Sequence, residues 1–207
     1  MTTNSAAPCA ETVSNLRDGS EQALAAVFSC YRERLKRIVR FRMDYRLAGR
    51  VSDSDVLQEA YIAAAKRIEY FGKRPELSPF LWLRLMVSQQ LVDLHRQHLQ
   101  AEMRDARREV ALPTGGPSPH TSLALAAQLV GQQSGVSEIV SRAEQIEKLE
   151  STLNEMDATD REVIALRHFE ELSNLETAEV LNIEPAAASK RYVRAMAKLS
   201  DLLENRS

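Results

Sequence analysis

The side chains best suited to chemistry in this chain are cations on helix faces. Ser189, Lys190, Arg191, Val193, Arg194 and Lys198 fall within residues 185–198, which hold four basic and no acidic side chains in a segment that is otherwise acidic. Arg and Lys can grip phosphates or reach guanine edges and Ser can do either, so the row suits a duplex with a major groove about 12 Å wide. A second set lies on Ser78 to Arg108, where Arg84, Gln89, Asp93, Arg96 and Arg104 make a polar, mostly basic face opposite the apolar stripe of Leu83, Val87, Leu91 and Leu94. Such a face suits an anionic partner. A third set, Asp55, Gln58 and Glu59, sits at i, i+3 and i+4 and therefore shares one helix face. Its plainest reading is an N-terminal cap followed by solvated carboxylates.

Other constellations carry less. His95, His98 and Glu102 recur at helical spacing, but neither Cys9 nor Cys30 is placed to join them, so no metal and no cofactor is expected. The sequence has no Gly-rich phosphate loop, no nucleophile elbow and no carboxylate pair in a recognisable cleft. Nothing in it argues for an enzyme. The two cysteines have no CxxC spacing, which fits a reducing, cytoplasmic setting. No signal peptide or lipid anchor is read, and no apolar run is long enough to cross a membrane.

The elements that must position these residues are all helical. Residues 21–110 carry Leu24, Val27, Phe28, Tyr31, Leu35, Ile38 and Val39, then Val56, Leu57, Ala60, Tyr61, Ala64 and Ile68, at the spacing of amphipathic helices. The second run starts at a capping box, Ser52 to Asp55. Ser78-Pro79 opens the next helix, or two in tandem, and the lone Trp82 near its start is read as core. Residues 1–20 read as a disordered tail. Residues 111–141 read as a flexible linker, because Pro113, Gly115, Gly116, Pro117 and Pro119 cluster there while charge almost vanishes. Within it, Leu123 to Val130 has the length for only a turn or two of helix. Residues 142–207 are helical again and end in a short helix, a break at Asn182-Ile183-Glu184, and a longer helix from Pro185, the pattern of a helix-turn-helix. An ordinary helical hairpin has the same pattern, although small Ala178 and the run Ala186-Ala187-Ala188 favour DNA binding. The expected fold is all-α, two small helical domains joined by a linker. A net charge of -2 hides their difference, since residues 21–110 hold 17 Lys/Arg against 12 Asp/Glu and residues 142–207 hold 9 against 14.

Taken in order, these motifs resemble the extracytoplasmic-function sigma factors, compact members of the sigma-70 family that direct bacterial RNA polymerase to promoters. The likeness runs from Ala23 to Leu203. Asp55-x-x-Gln58-Glu59 followed by Tyr61 and Ile62 resembles region 2.2. Trp82, Gln89, Asp93 and Arg96 are similar to regions 2.3 and 2.4. Leu153, Met156, Arg161-Glu162-Val163, Leu166, Ser173, Glu176, Ala178, Leu181 and Arg191-Tyr192-Val193-Arg194-Ala195 resemble region 4. The resemblance implies a promoter-specificity subunit without enzymatic activity. Asp55, Gln58 and Glu59 would dock on core RNA polymerase. Gln89, Asp93 and Arg96, with Lys73 and Arg74 of the loop from Gly72 to Leu77, would face the single-stranded -10 element. Ser189, Lys190, Arg191, Val193, Arg194 and Lys198 would read the -35 element as duplex. Implied partners are core polymerase, promoter DNA and a separate regulator such as an anti-sigma factor, with no membrane. Gln89 stands where the family usually has Asn, the loop between Phe71 and Phe80 is longer than usual, and Ser189 stands where a basic residue is common. The rival reading is an autonomous helix-turn-helix regulator, which would bind duplex DNA unaided.

Overall fold

The structure, a computed structural model, describes residues 8–43, 47, 50–105, 122, 125–127 and 139–204, the side chains of 98–105 and 139–144 excepted. Among the described residues all regular elements are helices. The chain forms two compact units, Met1–Val110 and Ala111–Ser207.

The first unit holds α1 (Ala10–Arg17), α2 (Glu21–Arg42), α3 (Asp53–Ala65), α4 (Ile68–Gly72) and α5 (Pro79–Asp105). Helices α2, α3 and α5 pack against one another, and α1 lies on α2 and α4. Ser20 caps α2 by accepting from the Ala23 N–H, and Leu24, Val27, Leu35, Ile38 and Val39 are fully enclosed along its inner face. The capping box read at Ser52 and Asp55 forms, and Asp53 beside it joins α3 to α2: its carboxylate accepts from Arg40 Nε at 2.6 Å, with Lys36 Nζ at 3.9 Å. Partial burial pushes the Asp53 carboxyl up, but the hydrogen bond and charge of Arg40, with Lys36, outweigh that and hold it below the usual carboxylate range.

Trp82 is core, as its place beside the apolar stripe suggested. It is wholly enclosed and stacks on Phe71 with ring centroids 4.7 Å apart and planes at 24°, an arrangement that adds to the burial of both rings. Phe80 takes the Arg34 guanidinium on its face at 3.6 Å and meets Tyr31 at 5.2 Å.

Two expectations need correction. Residues 10–17, assigned to a disordered tail, form α1, because Leu16 is completely buried and supplies the apolar contact that so short a helix lacks in isolation. Arg84, placed on the basic face of α5, is only 8% exposed. It stands four residues after Phe80 and three before Val87, on the helix side that packs inward. The stretch opened by Ser78-Pro79 is one helix rather than two. The side chains of His98, Glu102 and Arg104, and residues 113–119, lie outside the described residues.

The second unit holds α6 (Ile139–Glu155), α7 (Ala158–Ile164) continued by a π-turn over Ala165–Phe169, α8 (Asn174–Leu181) and α9 (Pro185–Glu204). Helix α6 begins inside the stretch read as linker, where residues 125–127 are also helical. Asp157 caps α7 through the Thr159 N–H at 2.8 Å, and that hydrogen bond lowers its carboxyl pKa. Helix α9 packs on α6, α7 and α8, burying Ala188, Ala195 and Leu199 against a core that includes Leu153, Met156, Val163, Ile164, Leu166 and Ala178. Tyr192 and Leu202 of the expected stripe are half-buried.

Candidate nucleic-acid interface

In the second unit, the turn between α8 and α9 is built by local chemistry. Ser173 and Glu176 form a reciprocal capping box at the start of α8. The helix ends on Asn182 in the left-handed conformation, φ 51°, a position Asn tolerates better than most residues. The Ile183 N–H then reaches back to the Ala178 carbonyl at 3.0 Å. Asn174 Nδ2 donates to the Pro185 carbonyl at 2.8 Å, tying the first turn of α8 to that of α9. Together with the closely packed Ala178 and Ala188, these bonds make the pair a helix-turn-helix.

The predicted row divides once placed on α9. Ser189, Lys190, Val193 and Arg194 are exposed on the side away from the core, and Val193 keeps 61% of its surface free. Arg191 is half-buried, and Lys198 pairs with Asp160 of α7 at 3.5 Å. The open face thus offers two cations, a hydroxyl and a methyl-bearing side chain, a set able to contact phosphate, a base edge and a thymine methyl. Leu175, 69% exposed on α8, was not singled out in the sequence. Beneath α9, His168 Nε2 and the Tyr192 hydroxyl lie 2.9 Å apart. Arg167 reaches the Leu172 carbonyl and sits 5.4 Å from the Tyr192 ring centre. Burial, with a contribution from Arg167, lowers the His168 pKa below its ordinary value.

In the first unit, Gln89, Asp93 and Arg96 all come to the outer face of α5. Leu85 and Val92, 42% and 54% exposed, lie on the same side. Sequence reasoning missed both, since an apolar residue off the main stripe has no signal until its neighbours are known. Arg67, just before α4, donates to the Gln89 side-chain oxygen and approaches Met86 Sδ at 3.7 Å. With that oxygen engaged, Gln89 has its amide N–H donors to offer. Lys73 and Arg74 project from the exposed segment after α4, Arg74 over Tyr70 at 5.3 Å and beside Glu76 at 3.6 Å. A basic, partly apolar surface of this kind can carry a nucleic-acid backbone and contact unstacked bases.

Asp55, Gln58 and Glu59 are all exposed along α3. Asp55 spends its Oδ2 on the cap, accepting from the Ser52 hydroxyl at 2.8 Å and the Ser52 N–H at 3.0 Å, and those hydrogen bonds lower its pKa. Its other carboxylate oxygen and the side chains of Gln58 and Glu59 complete a polar ledge beside Ile62, 36% exposed. Among the described residues no group of three His, Cys, Asp or Glu side chains could hold a metal, and no helix is long and apolar enough to cross a membrane.

Residues 146–199, which cover α7, α8 and most of α6 and α9, match the family described as Sigma-70, region 4. The chain is 25% identical over 194 residues to the ECF RNA polymerase sigma factor SigW of Bacillus subtilis, covering 93% of this chain and 95% of that one. The chain is thus similar to extracytoplasmic-function sigma factors along nearly its whole length, and its second unit matches region 4 of the sigma-70 family. The chain is also 29% identical over 150 residues, 72% of each chain, to the RNA polymerase sigma factor CnrH of Cupriavidus metallidurans. It shares its fold with CnrH as solved in complex with the cytosolic domain of CnrY, with a TM-score of 0.54 at 22% identity over 95% of this chain and 97% of that one. These relatives are named as RNA polymerase sigma factors, which does not favour the autonomous-regulator reading.

Proposed function

We propose that this chain is a sigma subunit that binds core RNA polymerase through Asp55, Gln58 and Glu59. It presents Gln89, Asp93, Arg96, Lys73 and Arg74 to the melted -10 strand, and Ser189, Lys190, Arg191, Val193, Arg194 and Lys198 to the -35 duplex. Promoter specificity then comes from two DNA-reading surfaces on one chain, both engaged only when the chain is on the polymerase. The observation that carries this reading is the helix-turn-helix, whose second helix exposes Ser189, Lys190, Val193 and Arg194, in a chain whose likeness to a sigma factor spans both units. Within the row, Ser189, Lys190, Val193 and Arg194 are the reading face. Arg191 and Lys198 flank it and suit phosphates. CnrH has been solved with the cytosolic domain of CnrY, and by that likeness we infer a separate regulatory protein for this chain, acting in the cytoplasm.

Transcription in vitro with core polymerase and a promoter library tests the reading. The expected result is start-site-specific transcripts that share two conserved elements, from a protein that alone shifts promoter duplex poorly. A protein that does not co-elute with core and yields no specific transcript would sink it. One that binds duplex tightly unaided, and gains nothing from core, would restore the regulator reading.

A further inference from the structure

The segment 73–78 between α4 and α5 is held by a residue far away in the chain. Arg17, the last residue of α1, directs Nη1 to the Arg74 carbonyl at 2.9 Å and Nη2 to the carbonyls of Pro75 and Leu77 at 2.8 and 3.1 Å. The same guanidinium lies 4.7 Å from the centre of the Phe71 ring, which is itself stacked on Trp82. Three carbonyls from one short turn therefore converge on a single cation fixed to the hydrophobic core. Within the turn the Lys73, Arg74 and Leu77 N–H groups donate to the Glu69, Phe71 and Arg74 carbonyls, at 3.3, 3.0 and 3.1 Å. To these local bonds the external cation adds three constraints from outside the turn.

Gly72, just ahead of the turn, makes this approach possible. A Cβ there would sit 2.3 Å from the Arg17 carbonyl oxygen, so only a residue without a side chain lets α1 end against α4. With its carbonyls drawn toward Arg17, the turn leaves Lys73 and Arg74 exposed. A guanidinium can serve three acceptors from one plane, whereas an ammonium is a point donor on a flexible stem.

We propose that Arg17 is a positioning residue for -10 recognition: by gathering the carbonyls of Arg74, Pro75 and Leu77 it fixes the turn that carries Lys73 and Arg74, and so sets both the efficiency of strand opening and the discrimination among -10 bases. Helix α1 is then part of the promoter-melting apparatus rather than an appendage. The inference rests on the reading that this turn faces the melted strand.

The test uses full-length protein reconstituted with core polymerase, a promoter recovered from the library selection, and templates carrying each -10 substitution, with permanganate reactivity reporting open complexes. Arg17→Ala is expected to lower open-complex formation about tenfold on the preferred sequence and to flatten base discrimination, with core affinity within about twofold of wild type. Arg17→Lys should fall between, and Gly72→Ala should resemble Arg17→Ala because it forces α1 away. Wild-type discrimination in Arg17→Ala overturns the proposal, as does a parallel loss of core binding and melting. If Arg17→Ala unfolds the unit, Arg17→Lys decides, measured where its Trp82 emission is native, and unchanged discrimination there is equally fatal. The double variant Lys73→Ala/Arg74→Ala separates the two layers of the argument. If it melts promoters normally, the turn does not face DNA and the underlying reading fails, taking this proposal with it. If it is impaired while Arg17→Ala is not, the proposal for Arg17 fails alone.

Discussion

The two candidate DNA surfaces are built in opposite ways. The face of α9 is local: Ser189, Lys190, Val193 and Arg194 are neighbours in sequence, and helical geometry alone brings them together. The surface of the first unit is assembled from distant parts, since Arg17 holds the turn 57 to 60 residues further on and Arg67 holds Gln89 across 22. A local surface tolerates changes elsewhere in its unit as long as the helix docks. An assembled one depends on the core that joins its pieces.

The largest expected effect tests that dependence. Trp82→Ala removes the ring stacked on Phe71, beneath both Arg17 and the turn, and large aromatic deletions of this kind cost about 3–5 kcal/mol. The first unit should lose its fold and its candidate DNA surface together, while amide signals from α6 to α9 keep their native dispersion. Collapse of both sets of signals would show that the units do not fold independently and would break the comparison.

Next in size is Arg194→Ala. Deleting a side chain that grips a phosphate or pairs with a base edge costs about 1–3 kcal/mol of binding. Initiation that depends on the -35 element should fall accordingly, with core affinity and the melting temperature unchanged because the side chain is exposed and its one internal hydrogen bond, to the Lys190 carbonyl, is long at 3.4 Å. Weaker core binding in this variant would contradict the division of labour between the units.

A smaller effect separates docking from capping on α3. Ser52→Ala and Asp55→Ala each dismantle the same capping box, so both should lower the melting temperature of the first unit by a few degrees. Only Asp55→Ala also removes the carboxylate from the ledge it shares with Gln58 and Glu59. It should lose more core affinity than Ser52→Ala, and adding Gln58→Ala should deepen the loss. Equal loss in the two single variants would make Asp55 a cap and nothing more.

The same contrast decides what could be read from the sequence. The helices, the capping box at Ser52, the break at Asn182 and the row on α9 all rest on spacings within one or two turns, which a sequence displays directly. Arg84 was misplaced because its charge argued for the surface while its register, between Phe80 and Val87, argued for the core, and register prevailed. Helix α1 was invisible because its stability comes from burying Leu16 and from the fit of Gly72 against Arg17, neither of which leaves a local pattern. Val92 and Leu85 became notable only when packing left them outside.

The smallest effect asks whether the local surface is as self-contained as it looks, for α9 rests in part on a non-local contact between His168 and Tyr192. Burial, then the charge of Arg167, disfavours the imidazolium, so the folded pKa of His168 lies below its ordinary value of 6.5. Above that value folded and unfolded chains are both neutral at this site, and stability is undiminished. As pH falls, the unfolded chain takes up the proton first, so stability of the second unit drops until pH has passed through the folded pKa and then levels. Asp157, whose carboxyl is lowered from 3.8, acts in a separate and more acidic window. The melting temperature of the second unit should therefore decline as pH falls below the ordinary histidine value of 6.5, and His168→Gln should flatten that decline while leaving the neutral-pH value close to wild type. The same slope in His168→Gln would assign the proton to another group. A melting temperature that rises on acidification would mean that His168 is held charged, and α9 would then rest on an ion contact rather than on a neutral pair.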